Sequence, residues 1–271
     1  MATLFDIRNK IIVISGATGV LGSSIAEYLA AEGAIVVILG RNAGKVAALV
    51  KLINDAGGEA HSAVADVTDE AQLIGVRKEL DSKFKKIDVL INAAGGNMPG
   101  AVIMPGQSIL ETDVDSLQKV IELNYLGTFL PTKVFLPLFL KENEGSIINI
   151  SSMSASRPMT RVMGYSSAKA AIDNLTKWLC TEFAQKYGEG LRVNAIAPGF
   201  FLTEQNRTLL TEANGSLTER GQLIIQNTPM GRFGSPDELF GSVHWLCSAA
   251  SKFVTGTVIS VDGGFGAYAG V

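Results

Sequence analysis

Between Lys10 and Ala30 the chain runs through a strand, a glycine turn and a helix, in that order. Lys10-Ile-Ile-Val-Ile-Ser15 is a short, β-branched apolar run, the pattern of a parallel strand buried on both faces. Gly16-Ala-Thr-Gly19-Val-Leu-Gly22 follows at once, and Ile25, Ala26, Leu29 and Ala30 then recur at helical spacing. A glycine motif in this setting is the context for binding a dinucleotide. The first glycine permits the tight turn, the second lets backbone approach a pyrophosphate, and the third lets the helix pack close to the strand. On this reading Gly16, Thr18, Gly19, Val20 and Leu21 line a phosphate site at the helix N-terminus.

The rest of the chain repeats the alternation. Ala34 to Leu39, Glu59 to Val64, Ile87 to Ile91, Gly145 to Ser151, Leu191 to Ala197 and the run from Val258 read as six further strands. Helical patterns cover Asp69 to Lys83, Asp113 to Leu140, Gly164 to Lys186 and Pro236 to Ser248. Strands alternating with helices over the whole length imply an α/β fold with one Rossmann-type, doubly wound, seven-stranded parallel sheet flanked by helices. A single domain spanning 1–271 is expected. Pro131 and Pro137 each remove a helical hydrogen bond, so a kink or break is expected near them. Gly96 to Thr112 is rich in Pro and Gly, and a loop of that length in a compact domain is usually functional; Asn97 is its most useful polar group. Phe200 to Met230 is polar and weakly periodic, and reads as a substrate lid within the domain.

Several function classes are disfavoured. A net charge of −3 offers no reason to expect binding to nucleic acid or to a membrane surface. The most apolar window, Leu126 to Leu140, is interrupted by Lys133 and two prolines, which suits a buried helix better than a membrane span. The first ten residues do not read as a signal peptide, so a cytoplasmic protein is expected. Cys180 and Cys247 make no disulfide framework, and no His/Cys/Asp cluster has metal-ligand spacing.

Tyr165-Ser-Ser-Ala-Lys169 carries the chemistry. Residues four apart share a helix face, so phenol and ammonium can enter one cleft. A free tyrosine, with a pKa near 10, is a poor acid or base at neutral pH; a cation beside it favours the phenolate and moves it toward useful work. Ser151 and Ser152 end the fifth strand, where open α/β sheets place ligands. Arg41 follows the second strand, at the point where NAD sites often carry a carboxylate for the ribose hydroxyls. A guanidinium there could grip a 2′-phosphate, which favours NADP(H) over NAD(H). Asp66 could accept from an adenine amino group, or could start the next helix.

Taken together, the glycine turn, Asp66, Asn92-Ala93-Ala94-Gly95, Asn124, Ser152, Tyr165-x-x-x-Lys169, Pro198-Gly199 and Asp262-Gly263-Gly264 resemble the short-chain dehydrogenase/reductase family, in family order and over nearly the whole chain. The resemblance implies Tyr165 as general acid–base and Lys169 on the nicotinamide ribose. It implies Ser152 on the substrate oxygen and Asn124 holding a relay water. It extends the cofactor set to Val67, Asn92, Ala93, Ala94, Gly95, Pro198 and Gly199, and implies a homotetramer or homodimer. One departure is the spacing Gly16-x-x-Gly19-x-x-Gly22, with Val20 where glycine is frequent, which resembles the longer, epimerase-type branch. Only about 70 residues follow Pro198, too few for that branch's substrate domain.

Within the family, the loop Ala94 to Ala101 and the glycine turn are most similar to sugar-acid oxidoreductases of the D-mannonate or fructuronate type. A sugar acid needs a cation for its carboxylate; Arg157, Arg161 and Arg207 are candidates. The alternatives are a gluconate-type polyol dehydrogenase, a β-ketoacyl reductase and, in another class, a catalytically silent dinucleotide-binding protein.

Overall fold

The structure is a computed structural model and describes residues 3–157, 159–203 and 207–270. Each apolar run becomes a strand because parallel strands are covered on both faces and tolerate little polarity. The strands are β1 (Ile11–Ser15), β2 (Ile35–Gly40), β3 (Glu59–Val64), β4 (Val89–Asn92), β5 (Gly145–Ile150), β6 (Leu191–Pro198) and β7 (Val258–Val261). They form one parallel sheet in the order β3-β2-β1-β4-β5-β6-β7, as the alternation predicts. The main helices are α1 (Val20–Ala31), α2 (Ala43–Asp55), α3 (Glu70–Phe84), α4 (Val114–Ile121), α5 (Gly127–Phe139) and α6 (Met163–Tyr187). After β6 come the short α7 (Arg207–Leu210) and α8 (Glu219–Gln226), then α9 (Phe240–Cys247).

Alternate strand residues face opposite layers. Ile12, Ile14, Val36 and Ile38 join Ile25 and Leu29 of α1, Ile53 of α2 and Val243 of α9 in one buried cluster. Val13, Val37, Leu39 and Leu90 point the other way, onto Leu73 of α3, Phe135 and Phe139 of α5 and Leu179 of α6. Phe135 and Phe139 are fully buried; truncating either to Ala would cost about 3–5 kcal/mol.

Two features of this frame place the site. Chain connections leave β1 and β4 in opposite directions, so a crevice opens beyond their carboxyl ends, where such sheets bind ligands. The second is the segment after α4. Pro131 and Pro137 lie inside α5 without ending it; the irregularity falls instead at Glu122–Leu126, a π-helical turn. That turn carries Asn124, whose side-chain amide donates to Val120 O at 2.7 Å and, outside the helix, to Gly96 O at 2.7 Å. An amide that bonds backbone in this way competes with the helical ladder, and π turns of this kind concentrate at functional sites.

Candidate functional site

The crevice floor is backbone. Gly16 has φ +67°, and a Cβ there would lie 2.5 Å from Ala94 N. Only glycine lets the turn after β1 sit against the turn after β4. Ala93 N donates to Ser15 O at 3.2 Å, which binds the two turns together. Gly19 is the N-cap of α1 and supplies no side-chain cap, so the first-turn N–H groups remain available to an anion. Thr18, Val20 and Leu21 are half-buried along this turn.

Farther along, Arg41 is exposed just after β2, and Asn42 caps α2 by accepting from Lys45 N. Asp66 accepts from the backbone N and the Oγ1 of Thr68, at 2.9 and 2.7 Å. Those bonds hold its carboxyl below the usual range, and the Arg41 charge adds to the effect. The Val67 side chain is in the core. Asn92 is turned away from solvent: its amide donates to Thr132 Oγ1 at 3.0 Å and Asn149 Oδ1 at 2.9 Å, and its own Oδ1 is buried without a protein partner.

These residues fit a nicotinamide dinucleotide. A glycine cradle meets an uncapped helix start, an exposed arginine sits at one end, and a buried lysine sits at the other.

That lysine stands on α6 beside Tyr165. α6 carries Tyr165 and Lys169 one turn apart, and the Lys169 Nζ stands 5.5 Å from the centroid of the Tyr165 ring. Lys169 is 4% exposed, and Nζ donates to Ile150 O at 2.7 Å. Burial lowers its pKa to about 8, opposed by the nearby Asp173 charge. Gly95 faces the pair: a Cβ there would lie 2.6 Å from Asn124 Oδ1 and 3.2 Å from Lys169 Nζ. Ser152 is buried at the start of the turn after β5, and its Oγ accepts from Ser154 N at 3.2 Å. Burial pushes the Tyr165 phenol up, and a hydrogen bond with Ser152 opposes that. The direction is therefore opposite to the lowering expected from the helix spacing, and a phenol held above its ordinary value of 10 is protonated at neutral pH. A protonated phenol is the form that donates to a carbonyl oxygen.

The substrate side is built from loops. Asn97 is half-buried, and its Oδ1 accepts from Met98 N at 3.0 Å. Arg157 donates from Nε to Gly266 O at 3.0 Å and from Nη2 to Tyr268 O at 3.1 Å; it ties the loop after Ser152 to the C-terminal segment. Arg161 has φ +75°, a conformation uncommon for a residue with a side chain. Its carbonyl accepts from Ile103 N at 3.0 Å, so it joins the 96–112 loop to the start of α6. Arg207 is exposed on α7. β6 closes on Pro198, and Gly199 N donates to Val261 O at 2.9 Å. Within the stretch from Phe200 to Met230, residues 204–206 lie outside the described ones.

Two residues escape the sequence reading. Arg220, in the first turn of α8, is half-buried. Burial and then the charge of Arg161 push its guanidinium down from its ordinary value, so two half-buried cations share this side of the crevice. Among the described residues neither makes an ion pair. Asp173, one turn beyond Lys169, accepts from Ser151 Oγ in a short hydrogen bond. Its only sequence signal is the spacing Tyr165-x-x-x-Lys169-x-x-x-Asp173. Among the described residues no group of three His, Cys, Asp or Glu side chains could hold a metal ion, and no helix is long and apolar enough to cross a membrane.

Known proteins share this architecture. A family model described as enoyl-(acyl carrier protein) reductase matches residues 16–266. An uncharacterised oxidoreductase of Bacillus subtilis (strain 168), UxuB, is 46% identical over 275 residues, covering 98% of this chain and 98% of that protein. A solved structure from Haemophilus influenza, provisionally named a D-mannonate oxidoreductase and holding NAD, is 40% identical, with a TM-score of 0.92 over 99% of this chain and 100% of its own. A gluconate 5-dehydrogenase from Burkholderia cenocepacia J2315, in complex with NADP and tartrate, is 32% identical, with a TM-score of 0.86 over 97% of each chain.

Proposed function

The chain belongs to the short-chain dehydrogenase/reductase family, and we propose that it is an NAD(P)-dependent oxidoreductase interconverting a ketone and a secondary alcohol on a sugar acid of the fructuronate/mannonate type. The observation that carries the reaction is the meeting of Ser152, Tyr165 and Lys169 at the carboxyl end of β5.

The nicotinamide cofactor, when bound, supplies or accepts the hydride. The turn Gly16–Leu21 and the start of α1 would hold its pyrophosphate, Asp66 its adenine and Lys169 its nicotinamide ribose. Arg41 would hold a 2′-phosphate and favours NADP(H). Val67, Ala93 to Gly95, Pro198 and Gly199 would line its path with backbone. The Asn92 side chain is engaged with Thr132 and Asn149, so it would act by shaping the β4 end.

In reduction, Tyr165 donates its phenolic proton to the substrate oxygen as the carbon gains hydride; in oxidation the same oxygen takes the proton back. Ser152 donates a hydrogen bond that holds the reacting oxygen beside the phenol. Asn124, wedged against Gly96, would position a water that returns protons toward Lys169. A silent dinucleotide-binding protein has no use for an acid–base tyrosine gathered in this way.

For the substrate, two half-buried cations that make no ion pair among the described residues call for an anion, since an uncompensated buried charge is costly. Arg161 and Arg220 would grip the carboxylate, with Arg207 at the rim on the 200–230 lid. Arg157 would act through the loop it ties down, and Asn97 would meet substrate hydroxyls. Gluconate-type substrates are the second reading, favoured by the gluconate 5-dehydrogenase neighbour with its bound tartrate. Assembly into a dimer or tetramer would use the face where Trp178 of α6, 55% exposed, stands beside Ile121 and Tyr125.

The test follows NADPH and NADH absorbance with fructuronate, 5-ketogluconate, fructose and an acetoacetyl thioester. Turnover of fructuronate well above the neutral ketose is expected. Turnover of fructose or the thioester alone would refute the sugar-acid reading, and tight NADPH binding without turnover of any substrate would refute the enzyme reading.

A further inference from the structure

The face of α6 that carries Tyr165 and Lys169 continues one turn further, to Asp173. Successive i,i+4 positions stand one above the other on a helix. Lys169 donates to the carbonyl of Ile150, and Asp173 accepts from the hydroxyl of Ser151. Two consecutive residues at the end of β5 are therefore each held by α6, and the next residue is Ser152. Ser151 N also donates to Ile196 O of β6 at 2.7 Å. The segment presenting Ser152 is thus gripped by a strand on one side and by a helix on the other.

Asp173 is half-buried and forms no ion pair among the described residues. A carboxylate spent only on one serine would be an expensive choice there, since an amide accepts the same bond without a charge to desolvate. The charge has another neighbour. Lys169 is buried, faces Gly95 and Asn124 across the crevice, donates to the Ile150 carbonyl and stands over the Tyr165 ring.

We propose that Asp173 is a positioning residue of the reaction centre: its carboxylate anchors the strand end bearing Ser152 and sets a negative charge one helical turn from the Lys169 ammonium. The proposal rests on the reading of Ser152, Tyr165 and Lys169 given above, but not on the identity of the substrate.

The electrostatic half has a definite sign. Burial favours neutral Lys169, and Asp173 opposes it. The groups facing Lys169 are Asp173 and Tyr165 on its own helix, the Ile150 carbonyl on β5, and Asn124 with Gly95 across the crevice. Those facing Asp173 are Lys169, Lys177 and Ser151. Among the described residues Asp173 is the charged group that favours the ammonium, so its removal lets Lys169 lose its proton at lower pH. Tyr165, two turns or about 12 Å from Asp173, feels the change less.

Asp173→Asn keeps the shape and the acceptor but deletes the charge; Ser151→Ala keeps the charge but deletes the anchor. In full-length protein labelled with 13C-lysine, NMR titration of the Lys169 Cε signal, assigned with Lys169→Arg, should show a midpoint near 8 in the parent. In Asp173→Asn the midpoint should fall by about half a unit or more, roughly threefold in proton affinity. In Ser151→Ala it should stay put, while kcat for the reduced ketone falls about tenfold at every pH, because misplacing a reacting partner by an ångström costs that much or more. An unchanged Lys169 midpoint in Asp173→Asn overturns the charge role, whatever the substrate is. Wild-type kcat in Ser151→Ala overturns the anchor. If Asp173→Asn does not fold, Asp173→Glu serves: the Lys169 midpoint should remain within about 0.3 units of the parent, and a fall as large as that expected for the amide would count against the proposal.

Discussion

The two walls of the crevice are made differently. The wall running from β1 through β4 is strand ends and backbone: Gly16 seats against Ala94, and Ser15 holds Ala93. The opposite wall is loops, in which Arg157 reaches the segment after β7 through two hydrogen bonds and Arg161 meets Arg220 of α8 through like charge. Between them lies the proposed reaction centre, on β5 and α6, where side chains interlock and a lysine is buried at a cost. Backbone can recognise what every relative shares, such as a phosphate or a ribose. On the proposed reading, distinguishing one small substrate from another falls to the long side chains of the loop wall.

Substitutions separate these parts, the reaction centre most sharply. Tyr165→Phe is expected to lower kcat by about 10²–10⁴-fold, with NADPH affinity by fluorescence titration within about threefold of the parent, as follows if the phenol hydroxyl serves proton transfer more than cofactor binding. A comparable loss of NADPH affinity would mean that the reaction centre and the backbone wall are one unit.

On the loop wall, Arg161→Gln and Arg220→Gln should each lower kcat/KM for a keto sugar acid relative to a neutral ketose by about 10–100-fold, mainly through KM, the range for a lost charge-assisted hydrogen bond. An unaltered ratio in both would remove the two arginines from carboxylate recognition. On the backbone wall, Arg41→Asp should shift the NADPH-to-NADH preference by about tenfold or more toward NADH; equal losses for both cofactors would contradict a 2′-phosphate role.

The smallest effect is on stability. Lys169 has a folded pKa of about 8 against an ordinary 10.5, so the folded protein binds fewer protons than the unfolded chain between those values. Stability should therefore rise as pH climbs from about 8 toward 10.5, and burying the ammonium costs most below pH 8. Lys169→Met should abolish turnover yet raise Tm by a few degrees at pH 7, with a flatter stability profile above pH 8. A lower Tm would mean that the bond to Ile150 outweighs the burial.

The frame was legible because a doubly covered strand leaves an unmistakable mark: Ile11–Ser15 and Leu191–Pro198 are buried throughout, and few other roles suit such runs. The Ser152, Tyr165 and Lys169 cluster was legible because spacing along one helix, and position at a strand end, are local facts. The break before α5 was misplaced. Proline announces itself in sequence, whereas the π turn at Asn124 depends on an amide meeting Gly96, 28 positions away. Arg220 was passed over because the weakly periodic stretch containing it does not reveal which of its charges faces Arg161. Asp173 reads in sequence as an ordinary helix-surface acid until Ser151 is brought to it.

Arg157 has one practical corollary. By bonding the carbonyls of Gly266 and Tyr268, it stitches the loop after Ser152 to the segment that follows β7, 109 and 111 positions downstream. A cut before Gly266 would undo that stitch and slacken one rim of the crevice, so a preparation clipped there should be assayed apart from the intact protein.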